Sequence, residues 1–307
     1  MPANAKTVAY AALAGNVGIA LTKLAAYFLT SSSAMLTEAI HSLVDSGDQA
    51  LLLFGLRHAM RPADRAHPFG YGMEVYFWAF VVALLIFAVG GAVSIAEGIA
   101  KVRHPAPIEM VWVNYAVLAA AIVLETLSFK VALREFKKSH RRRSLWRSMR
   151  ASKDPTIFTV LLEDGAALVG LLIALAGVGA ATLLDWPEAD GVASIGIGCL
   201  LVLVAIFLAG ETRSLLIGEA ASSEIVSIVR DTLANDPRVV AVPEVLTMHL
   251  GPNEILVAVT IDFSDDLPGG DIEAAASALS QAISTRTRLR MRPNSEKYCR
   301  SSATLSA

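Results

Sequence analysis

Six apolar stretches, each long enough to cross a lipid bilayer, limit the possible folds of this chain more than any other feature. They run over residues 8–29, 34–58, 75–100, 110–133, 155–181 and 190–216. A hydrocarbon layer of about 30 Å is crossed by about 20 apolar residues in helical form. Backbone groups inside that layer must bond to one another, which leaves helices or closed barrels as the only spanning structures. Of the 307 residues, 54% are hydrophobic and only 18% are charged, against roughly 25% charged in soluble domains. The expected class is an α-helical membrane protein with six transmembrane helices over residues 1–216. The two cysteines, Cys199 and Cys299, are too far apart for a CxxC motif or a disulfide framework. Cys199 lies within the sixth apolar run and is expected to be packed there. The N-terminus runs directly into a long apolar segment, so no cleavable signal peptide is expected.

Charge is distributed unevenly between the connections. "TSSS", "KVRHPAPIE" and "DWPEAD" are short, and on that side of the membrane the basic residues are Lys101 and Arg103. The other two connections are rich in arginine, and the longer one in lysine as well. The longer one carries Arg134, Lys137, Lys138, Arg141, Arg142, Arg143, Arg147, Arg150 and Lys153. Basic loops stay on the cytoplasmic side, so both termini are expected there. The basic loop is read as a topology signal, and no nucleic-acid partner is expected.

Beyond about residue 219 the pattern changes. "SSEIVSIVRDTLANDPRVVAV" predicts a helix ending near Asn235–Pro237, and "EVLTMHLGPNEILVAVTIDFS" predicts two strands joined at Gly251–Pro252. In the second strand Val257, Val259, Ile261 and Phe263 alternate with Leu256, Ala258, Thr260 and Asp262. "GGDIEAAASALSQAISTRT" predicts a second helix with Asp271 near its start. This α-β-β-α order points to a small α+β domain of ferredoxin-like type over residues 219–290. Residues 291–307 are expected to form an atypical or disordered tail. The "GYG" after Pro68–Phe69 lacks the Lys-Ser/Thr of a phosphate-binding loop.

The chemistry lies in the ionisable residues of the apolar runs. A charged residue at the bilayer centre costs at least about 2.5–3.5 kcal/mol, so such residues usually face the bundle interior and serve function. "TEAIHSLVDSGDQ" carries Glu38, His41, Asp45 and Asp48 at spacings of three, four and three, which is one helical face. His41 and Asp45, four apart, are neighbours able to grip one cation between imidazole and carboxylate. The rest of the donor set must come from another helix, and Glu163 and Asp164 in the fifth run are the best candidates. One imidazole with two or three carboxylates suits Zn²⁺, and a more oxygen-rich set suits Mn²⁺ or Fe²⁺. Glu38, Asp48 and Glu125 are supporting or relay candidates. Asn16 in the first run and Ser128 in the fourth are further polar residues; Lys23 is read as a structural partner of an acidic neighbour, and Glu97 as a residue near a membrane end that reaches water. Because imidazole and carboxylates must be deprotonated to bind metal, protons and metal compete for this site.

These residues resemble the cation diffusion facilitator family over nearly the whole chain, to about residue 290. The most specific stretches are "SSSAMLTEAIHSLVDSGDQALLLFG", "HPFGYGMEVYFWAFVVALLIFAVGG" and "VLLEDGAALVGLLIA". They are most similar to the branch of mitochondrial zinc-transporter-like proteins and their bacterial relatives. The resemblance implies a homodimer in a membrane (the bacterial inner membrane for the bacterial relatives), alternating access, proton antiport and efflux of Zn²⁺ or a similar divalent ion, with no cofactor and no enzymatic activity. It places the transport motif on His41, Asp45 and Asp164. The family's second histidine falls on Val160, which cannot bind metal, and leaves Glu163, Glu125 or water as the fourth donor. A second site in some relatives falls on Asp64 and His67, with Tyr71 where a histidine would stand, so weak binding or none is expected there. Pro243 replaces the histidine that opens a C-terminal zinc motif in relatives, and His249 is read as structural.

Readings of other classes are a Mn²⁺, Fe²⁺ or Co²⁺ exporter, an intramembrane metal-dependent enzyme and a metal sensor. The chain has no HExxH for a zinc protease, and its C-terminal segment is too small for a kinase or DNA-binding output domain.

Overall fold

The computed structural model describes residues 3–30, 33–105, 111–139 and 154–287, without the side chains of 3–8, 26, 27, 29, 30, 33–41, 44, 138 and 139. Helices occur at all six expected places: α1 Ala3–Thr30, α2 Ser33–His58, α3 Glu74–Arg103, α4 Val111–Ser139, α5 Pro155–Leu183 and α6 Ala189–Ile217. Four of them, α3 to α6, are long and apolar enough along their described residues to cross a membrane, and α1 has a shorter apolar stretch over Ala9–Ala25. The chain divides into two compact units. One holds residues up to Met60 and Glu74–Arg213, and the other holds Arg61–Met73 and the chain from Ser214 onward.

The first unit exposes large apolar side chains and buries a set of polar ones within its apolar core. Tyr10, Leu21, Phe87, Leu127, Leu172, Leu203 and Ile206 are exposed, whereas Asn16, Lys23, Asp48, Gln49, Glu125, Ser128, Thr159 and Asp164 are buried. That arrangement suits lipid as the solvent. Helix α1 packs against α2, α4 and α5, α4 packs against α5, and α2 against α3. Hydroxyls in the helices return to their own backbone: Thr22 donates to the Gly18 carbonyl at 2.8 Å, Ser46 to Ser42 at 2.9 Å and Thr212 to Leu208 at 2.6 Å. Helix α5 starts at Pro155 because proline suits the first helical position, and the Asp154 side chain caps it by accepting from the Thr156 N–H at 3.1 Å.

Helices α3 and α6 approach until their backbones touch. A Cβ on Gly98 would lie 2.8 Å from the Gly191 carbonyl oxygen, one on Gly191 2.9 Å from that of Gly98, and one on Gly198 2.8 Å from that of Gly91. Paired glycines are how helices pack closely in lipid, where apolar side chains gain little by association. Between Ile86 and Ala92, α3 widens into a π-helical segment that includes Gly91. Cys199 on α6 is exposed. The expectation that it is packed is therefore corrected: it lies one residue beyond Gly198, about 100° further round the helix.

In the second unit, α7 (Ser223–Ala234) leads to β1 (Val239–Gly251), which pairs antiparallel with β2 (Glu254–Phe263), followed by α8 (Gly269–Thr287). Val257, Val259, Ile261 and Phe263 pack with Val239, Val242 and Val245 against Val229, Leu233, Leu279 and Ile283 of the two helices. The alternation read from the sequence thus selects the buried face. The pairing slips between Ala241 and Glu244, around Pro243, which has no N–H to give to a ladder. The Arg238 guanidinium donates to both Asp236 oxygens, at 2.9 and 2.7 Å, and holds that carboxyl down at about 2. The tail after Thr287 lies outside the described residues.

Gly98→Val and Gly191→Val should lower the melting temperature of the detergent-solubilised protein by roughly 5–10 °C, the scale of an overpacking cost of about 1–3 kcal/mol. Gly210→Ala, where an added Cβ meets nothing within 4 Å, should leave it unchanged. Fluorescence-detected thermal unfolding reads both.

Candidate metal centre

Helix α2 runs without interruption through Glu38, His41, Asp45 and Asp48, so their spacing does place them on one face. The Glu38 and His41 side chains lie outside the described residues. Asp45 is half-buried and Asp48 is buried. Across the bundle stand Glu125 and Ser128 of α4 and Glu163 and Asp164 of α5. Asp45 lies within electrostatic range of Asp48, Glu125 and Glu163. Glu163 also senses Asp164, and Glu125 also senses Asp164 and the Lys23 ammonium of α1. Four helices therefore contribute to one polar interior.

The two neighbouring acids of α5 face different helices, as adjacent residues about 100° apart must. Asp164, 1% exposed, accepts a hydrogen bond at Oδ2 from the Ser128 hydroxyl of α4 at 2.6 Å. Glu163 accepts at Oε2 from the Gln49 amide of α2 at 2.5 Å. Glu163 is thus the α5 acid bonded to the helix that carries His41 and Asp45. Val160 is fully buried and offers no donor atom.

Oδ1 of Asp48, Oε1 of Gln49 and Oε2 of Glu125 are buried with no hydrogen-bond partner among the described residues. Unmatched buried acceptors are costly and need a reason. A bundle interior that receives a cation supplies one. Among the described residues, no three His, Cys, Asp or Glu side chains stand close enough to hold a metal ion, and His41 is outside that set. Gln49 escaped the sequence reading. Its signal was the continuation of the stripe, since His41, Asp45 and Gln49 follow one another at intervals of four.

In the other unit, Asp64, His67 and Tyr71 do come together. Asp64 accepts from the His67 N–H and from the Tyr71 hydroxyl, both at 2.7 Å, and the His67 and Tyr71 rings lie 4.2 Å apart. The Tyr71 hydroxyl, then the backbone N–H, hold the Asp64 carboxyl below the usual carboxylate range. The phenol engages the carboxylate and brings no strong metal donor. His249 is buried in β1, its backbone N–H bonded to the Glu219 carbonyl at 2.9 Å.

Residues 9–217 match the family model described as the cation efflux transmembrane domain. The chain belongs to that family, the cation diffusion facilitators. Among its relatives, the mitochondrial proton-coupled zinc antiporter SLC30A9 of Xenopus laevis is 34% identical over 78% of this chain, and that of Homo sapiens 32% over 78%. The chain spans less than half of their length, 44% and 43%. The cation-efflux pump FieF of Escherichia coli O127:H6 is 26% identical over 87% of this chain and 83% of its own length.

Tyr71→His should turn the loop into an Asp, His, His donor set. Calorimetric titration with Zn²⁺ should then give one more bound ion than the wild type, because a second imidazole completes the donor set. An unchanged stoichiometry would show that the loop cannot gather three donors.

Proposed function

We propose that this protein is a proton-coupled exporter of divalent cations, with Zn²⁺ as its main cargo. In this reading it is a secondary active transporter without enzymatic activity. It works as a homodimer by alternating access, with six spans and with both termini and the two basic loops in the cytoplasm. His41, Asp45, Asp164 and Glu163 form the transport site, and Glu38, Asp48 and Glu125 line the route of ions or protons. The C-terminal unit, of ferredoxin-like type, holds the dimer.

The observation that carries this reading is a cluster of carboxylates inside a helix bundle whose outer face is apolar, with Glu163 bonded to α2 one turn from Asp45. Such a cluster is unfavourable unless a positive species answers it. A divalent cation or protons can do so in turn, which is the basis of exchange. The printed names of the relatives, zinc antiporter and cation-efflux pump, support the same reading. Zinc is favoured over Mn²⁺ by the imidazole of His41.

Flux into proteoliposomes loaded with Zn²⁺, Mn²⁺, Fe²⁺ or Co²⁺ indicators tests it. With an imposed pH gradient the wild type should move Zn²⁺ fastest. His41→Ala, Asp45→Ala and Asp164→Asn should reduce flux to the background of empty vesicles, and Glu163→Gln should reduce it strongly. Normal flux in Asp45→Ala, or flux indifferent to the pH gradient, would contradict the reading.

A further inference from the structure

We infer that Gln49 is a positioning residue of the metal centre: it fixes the Glu163 carboxylate towards α2, where that carboxylate fills the place Val160 leaves without a donor. The inference rests on the transport site proposed above. Gln49 is 0% exposed, and its Nε2 donates to Oε2 of Glu163 at 2.5 Å. It stands four residues after Asp45 and eight after His41 on an unbroken helix, so it shares their face.

Three considerations favour a role in the site over simple packing. A primary amide buried in a lipid-embedded bundle is costly unless all its groups are bonded, yet Gln49 has no hydrogen-bond partner for Oε1 among the described residues. A leucine or methionine would fill the same space more cheaply. Second, the α5 acids cannot both turn to α2 unaided. Asp164 is engaged by Ser128 of α4, and Glu163 is offset from it by about 100°. A donor on α2 fixes the direction of the Glu163 side chain, which has three rotatable bonds. Third, the donor is neutral. A lysine or arginine here would hold the carboxylate equally well but cancel the charge that attracts a cation. The amide orients Glu163 through one oxygen and leaves Oε1 of the carboxylate as the donor to an ion. Groups that orient a metal ligand in this way usually change affinity about 10–100-fold when removed.

The test is a double-mutant cycle on the full-length protein in detergent, read by calorimetric titration with Zn²⁺. Gln49→Met, close in volume and without a donor, should weaken binding about tenfold. Glu163→Gln should weaken it at least as much, and Gln49→Met in the Glu163→Gln background should add no further loss, because the partner is already gone. A residue that merely packs would lower the melting temperature in both backgrounds alike and show no such coupling. Glu163→Asp serves as the second variant if Gln49→Met does not fold. It keeps the charge, is one methylene too short to reach the amide, and should also bind about tenfold more weakly. The inference is overturned if Gln49→Met or Glu163→Asp binds zinc within twofold of wild type while Asp45→Ala is impaired, or if the two losses multiply in the double variant. Wild-type binding in Asp45→Ala as well would overturn the transport site itself, and the inference with it.

Discussion

A carboxylate inside a helix bundle that faces lipid must be answered by other groups of the bundle, and the first unit is organised around that requirement. Asp48, Glu125 and Asp164 are buried, and Asp45 and Glu163 are half-buried. The answers come from three helices: a serine of α4 for Asp164, an amide of α2 for Glu163, and the Lys23 ammonium of α1 in range of Glu125. One cation does not balance so many acids. A site left short of positive charge attracts a divalent ion, and in the proposed exchange protons take the ion's place when it leaves.

The same economy appears in how the helices pack. Where α3 meets α6, glycines let carbonyl oxygens approach the opposite backbone, and one ion pair, Lys101 Nζ to Asp190 Oδ2 at 3.0 Å, joins the helix ends. Around the acids, by contrast, α1, α2, α4 and α5 keep full side chains turned inward. Van der Waals contact between backbones joins α3 to α6, and hydrogen bonds between side chains help join α2 and α4 to α5.

Much of this was legible in the sequence because lipid imposes simple rules. The six apolar runs located all six helices, and the alternation at Val257 to Phe263 located the buried face of β2. The candidate site was half legible. Spacing on α2 placed His41, Asp45 and Asp48 on one face without any tertiary information. The direction of Glu163 and Asp164 was not legible, because helical period says only that neighbours diverge. Which of them meets α2 depends on how α5 is rotated in the bundle, and that is visible in the bonds to Gln49 and Ser128. Cys199 was misplaced for the same reason: an apolar run does not reveal which side of the helix lies outward.

The central claim is that one zinc ion is held by His41 of α2 together with carboxylates of α2 and α5. X-ray absorption spectroscopy at the zinc edge, on purified protein carrying one ion, tests it most directly. The account predicts about four oxygen and nitrogen neighbours at about 2.0–2.1 Å, with the multiple-scattering signature of a single imidazole that vanishes in His41→Ala. Sulfur in the first coordination shell, or an imidazole signature that survives His41→Ala, would contradict it.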